Sequence, residues 1–179
     1  MAITTFDGPI RSLGGVYQQG PSTVVSITSS TTLDPMSHGG RILTVGGTLA
    51  ANLTLTLPTI NTSSNATSSG PGNDPNTLNN LGVVYTIWVP TTIATSSLKI
   101  GTDGTDRYVG YVLSIDSDTT DATRGFGAGA NDDFINFNGS TTGGVAGTWV
   151  QIVAVAALKY MVTGVAVGSG TVATPFATS

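Results

Sequence analysis

The chain has no cysteine and no glutamate, and only 9% of its 179 residues are charged. Without cysteine there is no disulfide scaffold, and so low a charge content is not typical of a disordered segment or a coiled coil. Glutamate, lysine and arginine usually fill exposed helix faces, so their scarcity also disfavours a helical protein. These absences predict one compact domain that forms its core without disulfides or metal.

Basic residues are also few, because Lys and Arg total six against ten acids, all of them aspartate, which gives a net charge of −4. Six basic residues cannot build the positive stripe that binds phosphate backbones or anionic membrane surfaces. The most apolar stretch, Val150 to Leu158, is too short to span a bilayer, and residues 1–11 lack the pattern of a secretory signal. We therefore expect no nucleic-acid partner and no membrane partner.

Threonine, serine, glycine, asparagine and aspartate dominate the remaining sequence, and these residues favour strands and turns. Leucine alternates with threonine over residues 53–57 before Pro58, which predicts a half-buried strand. Residues 83–89 are apolar at almost every position and end at Pro90, which predicts a central strand. Both tryptophans, Trp88 and Trp149, lie within apolar runs and are predicted to be core residues.

About eight strands separated by turn signals predict an all-β protein. The expected fold is a single antiparallel β-sandwich, or a jelly-roll or barrel-like domain, with no visible repeat of fixed period. The expected core spans residues 33–179 and carries long loops at 61–80 and 116–131. An extended N-terminal arm precedes it at residues 1–32, and a C-terminal tail follows at 168–179.

The arm and the tail carry the candidate partner contacts. Short apolar islands in the arm could lie along the chain's own domain or along a neighbour, or the arm could be a partly ordered tail. In the tail, a proline and an aromatic residue either cap the core or anchor to a partner. The candidates are Ile3, Phe6, Ile10, Tyr17, Pro175 and Phe176.

A catalytic triad is not indicated around His38, the sole histidine, although Ser37 and Asp34 are close in sequence. Adjacent serine and histidine side chains seldom meet in the geometry of proton transfer, and no G-x-S-x-G motif accompanies them. A turn over residues 34–40 accounts for the same residues. We predict no enzyme and no cofactor.

Paired aspartates offer two weaker alternatives. A glycosidase would need two carboxylates in a cleft, with Trp88 or Trp149 as a sugar platform. Calcium could bind between neighbouring loops, but the EF-hand pattern is missing. All the pairs fall in predicted turns or at strand ends, where aspartate commonly bonds the backbone, so we predict no metal site. The pairs are Asp103 with Asp106, Asp116 with Asp118, and Asp132 with Asp133.

Several segments follow one another in a distinctive order. They include a Thr-Leu-Pro strand end, a strand of the Tyr-x-aromatic-Val kind, and a tryptophan strand followed by a Gly- and Thr-rich tail. The segments are residues 40–43, 55–58, 82–89, 98–100, 103–106, Gly110 and 147–150. In this order the chain resembles small β-rich virion proteins of tailed bacteriophages, in particular head decoration, or cement, proteins. The resemblance covers roughly residues 40–176 without the loops at 61–80 and 116–131.

The resemblance implies a structural protein on the outer surface of the virion that binds the major capsid protein. It also implies a homo-oligomer, most simply a trimer on a threefold site, that stabilises the head against internal DNA pressure. An arm or tail that adds a strand to a capsid sheet would supply part of the binding. The alternative is a receptor-binding or carbohydrate-binding module of a phage tail, with Trp88 or Trp149 as a stacking platform.

Overall fold

A computed structural model describes residues 20, 23–63, 79–119 and 121–178. These residues form twelve strands, and no helix among them is long and apolar enough to cross a membrane. In chain order the strands are β1 (Val24–Ser26), β2 (Thr31–Thr32), β3 (Ile42–Thr44), β4 (Leu53–Thr56), β5 (Val84–Trp88), β6 (Leu98–Gly101), β7 (Arg107–Asp116), β8 (Arg124–Gly127), β9 (Phe134–Phe137), β10 (Trp149–Ala156), β11 (Lys159–Gly168) and β12 (Phe176–Ala177).

The strands form two sheets, which confirms the all-β class. The larger sheet has seven strands in the order β1-β3-β5-β10-β11-β7-β8, and the smaller has five in the order β12-β9-β6-β4-β2. Both sheets are mixed, because β3 is parallel to β1 and β5, β4 is parallel to β2 and β6, and β7 is parallel to β11. The prediction of purely antiparallel pairing is therefore wrong, and the jelly-roll connectivity stays a prediction.

The first six strands alternate between the sheets and stack as three successive coils. Val25 of β1 aligns with Leu43 of β3, and Leu43 aligns with Ile87 of β5. In the smaller sheet, Thr31 of β2 aligns with Leu55 of β4, which aligns with Ile100 of β6. Aligned residues are 18 and then 44 positions apart in the larger sheet, and 24 and then 45 positions apart in the smaller, so the stacking leaves no fixed period in the sequence.

One hydrophobic cluster lies between the sheets and draws on the inward side chains of both. Leu53 and Leu55 of β4 are buried while Thr54 and Thr56 remain half-buried, which confirms the alternation that predicted this strand. Strand β5 lies between β3 and β10, which confirms its central position. The larger members of the cluster include Leu43, Ile87, Ile152 and Tyr160 of the larger sheet and Leu55, Ile100, Ile135 and Phe137 of the smaller.

The structure differs from the predicted arm and loops in three places. Strands β1 and β2 and the buried side chain of Ile27 lie within residues 1–32, so the last part of the predicted arm belongs to the fold. Strand β8 lies within the predicted loop 116–131 and closes one edge of the larger sheet. Strand β12 lies within the predicted tail 168–179.

The predicted loop 61–80 is described only at its two ends. There the backbone N–H of Asn61 donates to the side-chain oxygen of Asn80 (2.9 Å), and the Asn80 amide donates to the carbonyl of Thr59 (2.9 Å). The buried Asn80 side chain thus holds the two ends together. The interface candidates Ile3, Phe6, Ile10 and Tyr17 lie outside the described residues.

Candidate functional site

The outer surface of the larger sheet is apolar over its four central strands. Along β5, β10, β11 and β7 alternate residues point into the core, and the residues between them face outward. Tyr111 is 73% exposed, and Trp88, Leu113 and Met161 are each 42–43% exposed. We call this surface the apolar face; its members are Val84, Trp88, Val109, Tyr111, Leu113, Ile115, Trp149, Val153, Met161, Val165 and Val167.

Strand register arranges the apolar face in rows across the sheet. One row runs from Trp88 through Trp149 and Val165 to Leu113. A second runs from Val84 through Val153 and Met161 to Val109. Side chains directly opposite each other on neighbouring strands lie about 5 Å apart, so each row forms a continuous apolar strip.

A narrow polar row separates these two strips. Thr86, Gln151 and Thr163 occupy successive strands, and the Gln151 amide donates to the Thr86 hydroxyl (3.4 Å). None of these three side chains carries a charge. A partner could therefore cover the row without burying an ion, which would be far more costly than burying a hydrogen-bonded amide.

Charges lie only at the two ends of the face. Arg107 and Lys159 begin the parallel strands β7 and β11, while Asp116 ends β7 and Asp118 follows it. Among the described residues, the ion pair between a basic side chain and a carboxylate that are both charged at neutral pH is that of Arg124 with Asp121 (3.0 Å). Arg107 and Lys159 form no ion pair within the described part of the chain, but Asp103 and Asp106 lie in the turn directly before Arg107, so carboxylates lie at both ends of the face.

The outer surface of the smaller sheet has the opposite character. Its outward residues include Thr54 and Thr56 of β4, Lys99 of β6 and Asn136 of β9. The one large apolar side chain among them, Phe134, lies under the ammonium group of Lys99, 3.7 Å from the ring centroid. This surface is polar and compatible with exposure to solvent. The exposed apolar residues are therefore concentrated on one sheet and are not spread over both.

The prediction that both tryptophans belong to the core is wrong. Trp88 and Trp149 are 42% and 38% exposed, and they face each other across β5 and β10. Residues 83–89 are apolar on both sides of the strand, so their pattern does not say which side is inward. Thr86 and Gln151 are polar and lie on the same side of their strands as the tryptophans. These two residues were the sequence signal that this side faces outward.

The aspartates after β7 bind the backbone of the C-terminal segment. The Asp118 carboxylate accepts the N–H of Gly170 (2.8 Å), and the Asp121 carboxylate accepts the N–H of Val172 (3.1 Å). The N–H of Ala122 and the guanidinium of Arg124, 3.0 Å from Asp121, hold the pKa of that carboxyl below its ordinary value. These acids therefore fasten the segment after β11 to the loop after β7.

The turn before β7 holds Asp103 and Asp106 in different surroundings. The Asp103 carboxylate accepts the N–H groups of Thr105 (2.8 Å) and Asp106 (3.0 Å). Burial alone would raise the pKa of Asp103, but these bonds outweigh it and the pKa lies below its ordinary value. Asp106 is fully buried; one oxygen accepts the N–H of Ile60 (2.9 Å), the other has no hydrogen-bond partner, and burial raises its pKa.

The calcium alternative does not match this arrangement. Asp106 precedes β7 and Asp116 ends it, and ten residues of strand span about 30 Å, so the two pairs cannot share one ion. In the third pair, Asp132 accepts the N–H of Gly129 (2.7 Å) and Asp133 is buried. The described residues contain no group of three or more histidine, aspartate or glutamate side chains that could hold a metal.

His38 lies in a turn, as the sequence predicts. The N–H of Ser37 donates to the Asp34 carboxylate (2.6 Å), and the N–H of Asp34 donates to Nδ1 of His38 (3.0 Å). The histidine side chain closes the turn and is largely buried. These contacts account for Asp34, Ser37 and His38 without a catalytic role.

Of the two alternatives for the tail, the structure shows the cap. Phe176 is 5% exposed, pairs with Ile135 through β12 and β9, and lies with its ring centroid 6.3 Å from that of Tyr108. Pro175 is also buried, and its carbonyl accepts the N–H of Asn136 (2.8 Å). As a member of the chain's own core, Phe176 is not a projecting anchor.

Comparison of the chain with protein families, with curated proteins and with solved structures finds no match in any of the three. The interpretation of the site therefore depends on its own geometry. Among the described residues, the feature best suited to a function is the apolar face, which offers binding through burial of apolar and aromatic side chains.

Proposed function

We propose that the protein decorates the head of a tailed bacteriophage, where it binds the major capsid protein on the outer surface as an oligomer and stabilises the capsid. The observation that carries the proposal is the apolar face on an acidic, otherwise polar β-protein. Contiguous exposed apolar surface of this kind is typical of protein–protein contact. The sequence resemblance over residues 40–176 to phage head decoration proteins supports the virion as the place where this contact is made.

The architecture suits a mechanical role. Two sheets on one core would form a sandwich, which keeps its contact surfaces rigid and so limits the conformational entropy lost on binding. Many copies, each making modest contacts, add up to a large stabilisation of a shell. A decoration protein needs binding surfaces of this sort and no reactive group.

Immunogold labelling of phage particles from the source lysate, with antibody against the purified chain, tests the proposal. Gold distributed over the heads would support it. Gold confined to tails, or no gold on particles, would overturn it. Heads that lack the protein are further expected to release their DNA at lower temperature than decorated heads, and adding back the purified chain should restore the difference.

One observation favours a second candidate, a carbohydrate-binding module of a phage tail. Trp88 and Trp149 lie side by side and exposed, and exposed aromatic rings are the usual stacking surface for sugars. Titration of cell-surface glycans would then quench tryptophan fluorescence. Trp149→Ala should abolish binding, while Thr32→Ala, at an exposed residue of β2 in the smaller sheet, should leave it unchanged; failure of every glycan to quench would exclude this candidate.

A further inference from the structure

At one end of the molecule, where the stack of coils begins, both sheets have an unpaired edge. Among the described residues, β1 pairs only with β3, and β2 pairs only with β4. The backbone N–H groups of Ile27 and Leu33 donate across these pairs. Because alternate residues of a strand direct their backbone groups to opposite sides, those of Ser26 and Thr32 point away from the sheets. We call the free edges of β1 and β2 the open end.

The open end leaves the first coil less covered than the coils behind it. The inward residues Val25 of β1 and Thr31 of β2 are half-buried. Leu43 and Leu55, which align with them in the second coil, are fully buried. Each stacked coil buries its side chains against its neighbours, so a terminal coil requires a cap over its outer side.

The open end also lacks the features that keep a sheet edge from pairing. Residues 22–33 contain no charged residue and no proline, and three of the four residues 24–27 are apolar and β-branched. At the other end of the molecule, β8 begins with Arg124 and β12 directly follows Pro175. Charged residues and proline protect an edge, whereas an uncharged β-branched edge accepts another strand readily. The first coil is therefore suited to pairing with a further segment.

The chain that precedes β1 is long enough to supply that segment. The first coil, from β1 to β3, takes 18 residues, and 23 residues precede Val24. One more coil of 19 residues would place Phe6 beside Val25. Leu13, which is 18 positions before Thr31, would then lie close to it. Both inward positions of the added coil would be apolar, as they are in the second coil.

A turn directly precedes β1. The carbonyl of Gly20 accepts both the N–H (3.1 Å) and the hydroxyl (2.7 Å) of Thr23. A turn of this kind changes the direction of the chain within four residues. The residues before Gly20 therefore do not continue the line of β1 away from the domain.

We propose that residues 1–19 cap the open end of their own molecule, with Phe6 inward beside β1 and Leu13 inward beside β2. The cap supplies backbone partners for Ser26 and Thr32. The proposal rests on the fold and does not depend on binding to a phage head. An arm that caps its own core adds no strand to a capsid sheet, so it leaves the capsid contact to the apolar face.

Amide hydrogen exchange of the full chain, measured residue by residue by NMR, tests whether the open end is covered. With the cap in place, the N–H groups of Ser26 and Thr32 should exchange at least about a hundredfold more slowly than an unpaired exposed amide. Exchange at the unpaired rate would overturn the proposal. Protection that disappears on dilution would also overturn it, because a second copy would then be the occupant.

A matched pair of variants tests whether the preceding segment provides the protection. Phe6→Asp places a charge at the proposed inward position, and Thr5→Asp places the same charge at the neighbouring outward position. Because burial of a carboxylate is costly, Phe6→Asp should speed exchange of the Ser26 N–H at least about tenfold. Thr5→Asp should leave it unchanged. Continued slow exchange of the Leu43 N–H shows that both variants remain folded, and equal rates at Ser26 in the two would refute the assignment.

An introduced cysteine pair identifies which molecule supplies the cap, since the chain has no cysteine of its own. The proposed register places Asp7 directly beside Ser26, and neighbouring strands lie about 5 Å apart, a separation that a disulfide can bridge. Oxidation of the Asp7→Cys, Ser26→Cys variant should link the two within one chain. The control pair Asp7→Cys, Thr163→Cys should stay reduced. Disulfide-linked dimers, or equal linkage of the two pairs, would overturn the proposal.

Discussion

The side chain of Asp106 is fully buried. The N–H of Ile60 is the donor for one oxygen, and the other oxygen has no donor. Burial raises the pKa of Asp106, and the nearby Asp103 carboxylate adds to the effect. A carboxyl whose pKa is higher in the folded state than in the unfolded state binds its proton more tightly when folded. Its contribution to stability is therefore most favourable in acid and declines as pH rises through the two pKa values.

Asp106→Asn removes this titration while keeping an oxygen for the N–H of Ile60. We expect the variant to gain stability relative to the parent chain on going from pH 3 to pH 7, because only the parent has to ionise the buried side chain at position 106 over that range. Urea unfolding of both proteins at the two pH values measures the difference. A stability difference that does not change with pH would contradict the prediction.

Two buried tyrosines differ in what their hydroxyls contact. The Tyr160 hydroxyl donates to the carbonyl of Pro58, whereas the Tyr85 hydroxyl is buried and has no hydrogen-bond partner. Tyr160→Phe leaves that carbonyl without its donor and should lower the free energy of unfolding by about 1 kcal/mol. Tyr85→Phe removes an unsatisfied group and should be neutral or stabilising. Denaturant unfolding compares them, and a larger loss for Tyr85→Phe would show that its hydroxyl is satisfied in solution.

At the scale of elements, the parallel pair β7 and β11 depends on one close approach. Gly110 has a φ of +118°, and a Cβ there would lie 2.2 Å from the carbonyl oxygen of Val162 on β11. No side chain fits in that space unless the strands separate. The pair forms one half of the apolar face, so the distance between its two strands also determines the spacing of the side chains on that half.

Gly110→Ala should destabilise the fold by about 3 kcal/mol or more, since it combines a strained backbone with a clash against a paired strand. Gly125→Ala in β8 is the matched control, because a Cβ at that position meets no atom within 4 Å. Thermal unfolding followed by circular dichroism should show a large fall in Tm for the first and little change for the second. Similar values of Tm would indicate that β7 and β11 are not held at this distance.

Which elements the sequence predicts depends on the range of the interaction that forms them. The alternation of residues 53–57 and the turn around His38 are local patterns, and both appear as expected. Parallel stacking of β1, β3 and β5 joins residues 18 and 44 positions apart, and no local pattern encodes such pairing. The outward direction of Trp88 could not be predicted from the strand alone, because the strand carries apolar residues on both of its sides. It follows only from the position of β5 in the sheet.

For the molecule as a whole, the oligomer of the proposed function has a thermodynamic signature. If the native state is an oligomer and the unfolded state a monomer, higher protein concentration favours the native state by mass action. The Tm of the parent chain should therefore rise with concentration. Scanning calorimetry over a hundredfold range of concentration, about the range needed for a clear shift, measures this. A Tm independent of concentration in the parent chain would contradict the prediction.

The pairing of β7 with β11 also determines the order in which the two sheets can form during synthesis. Residues 107–116 of β7 pair with residues 159–168 of β11, and β9 pairs with residues 176–177 of β12. The three coils of β1 to β6 lie wholly within residues 24–101 and can assemble while the ribosome is still at work. The larger sheet, in contrast, is complete only after residues 159–168 have been synthesised, because β7 pairs with β11. Until then one edge of β7 is unpaired, which leaves this strand exposed to aggregation.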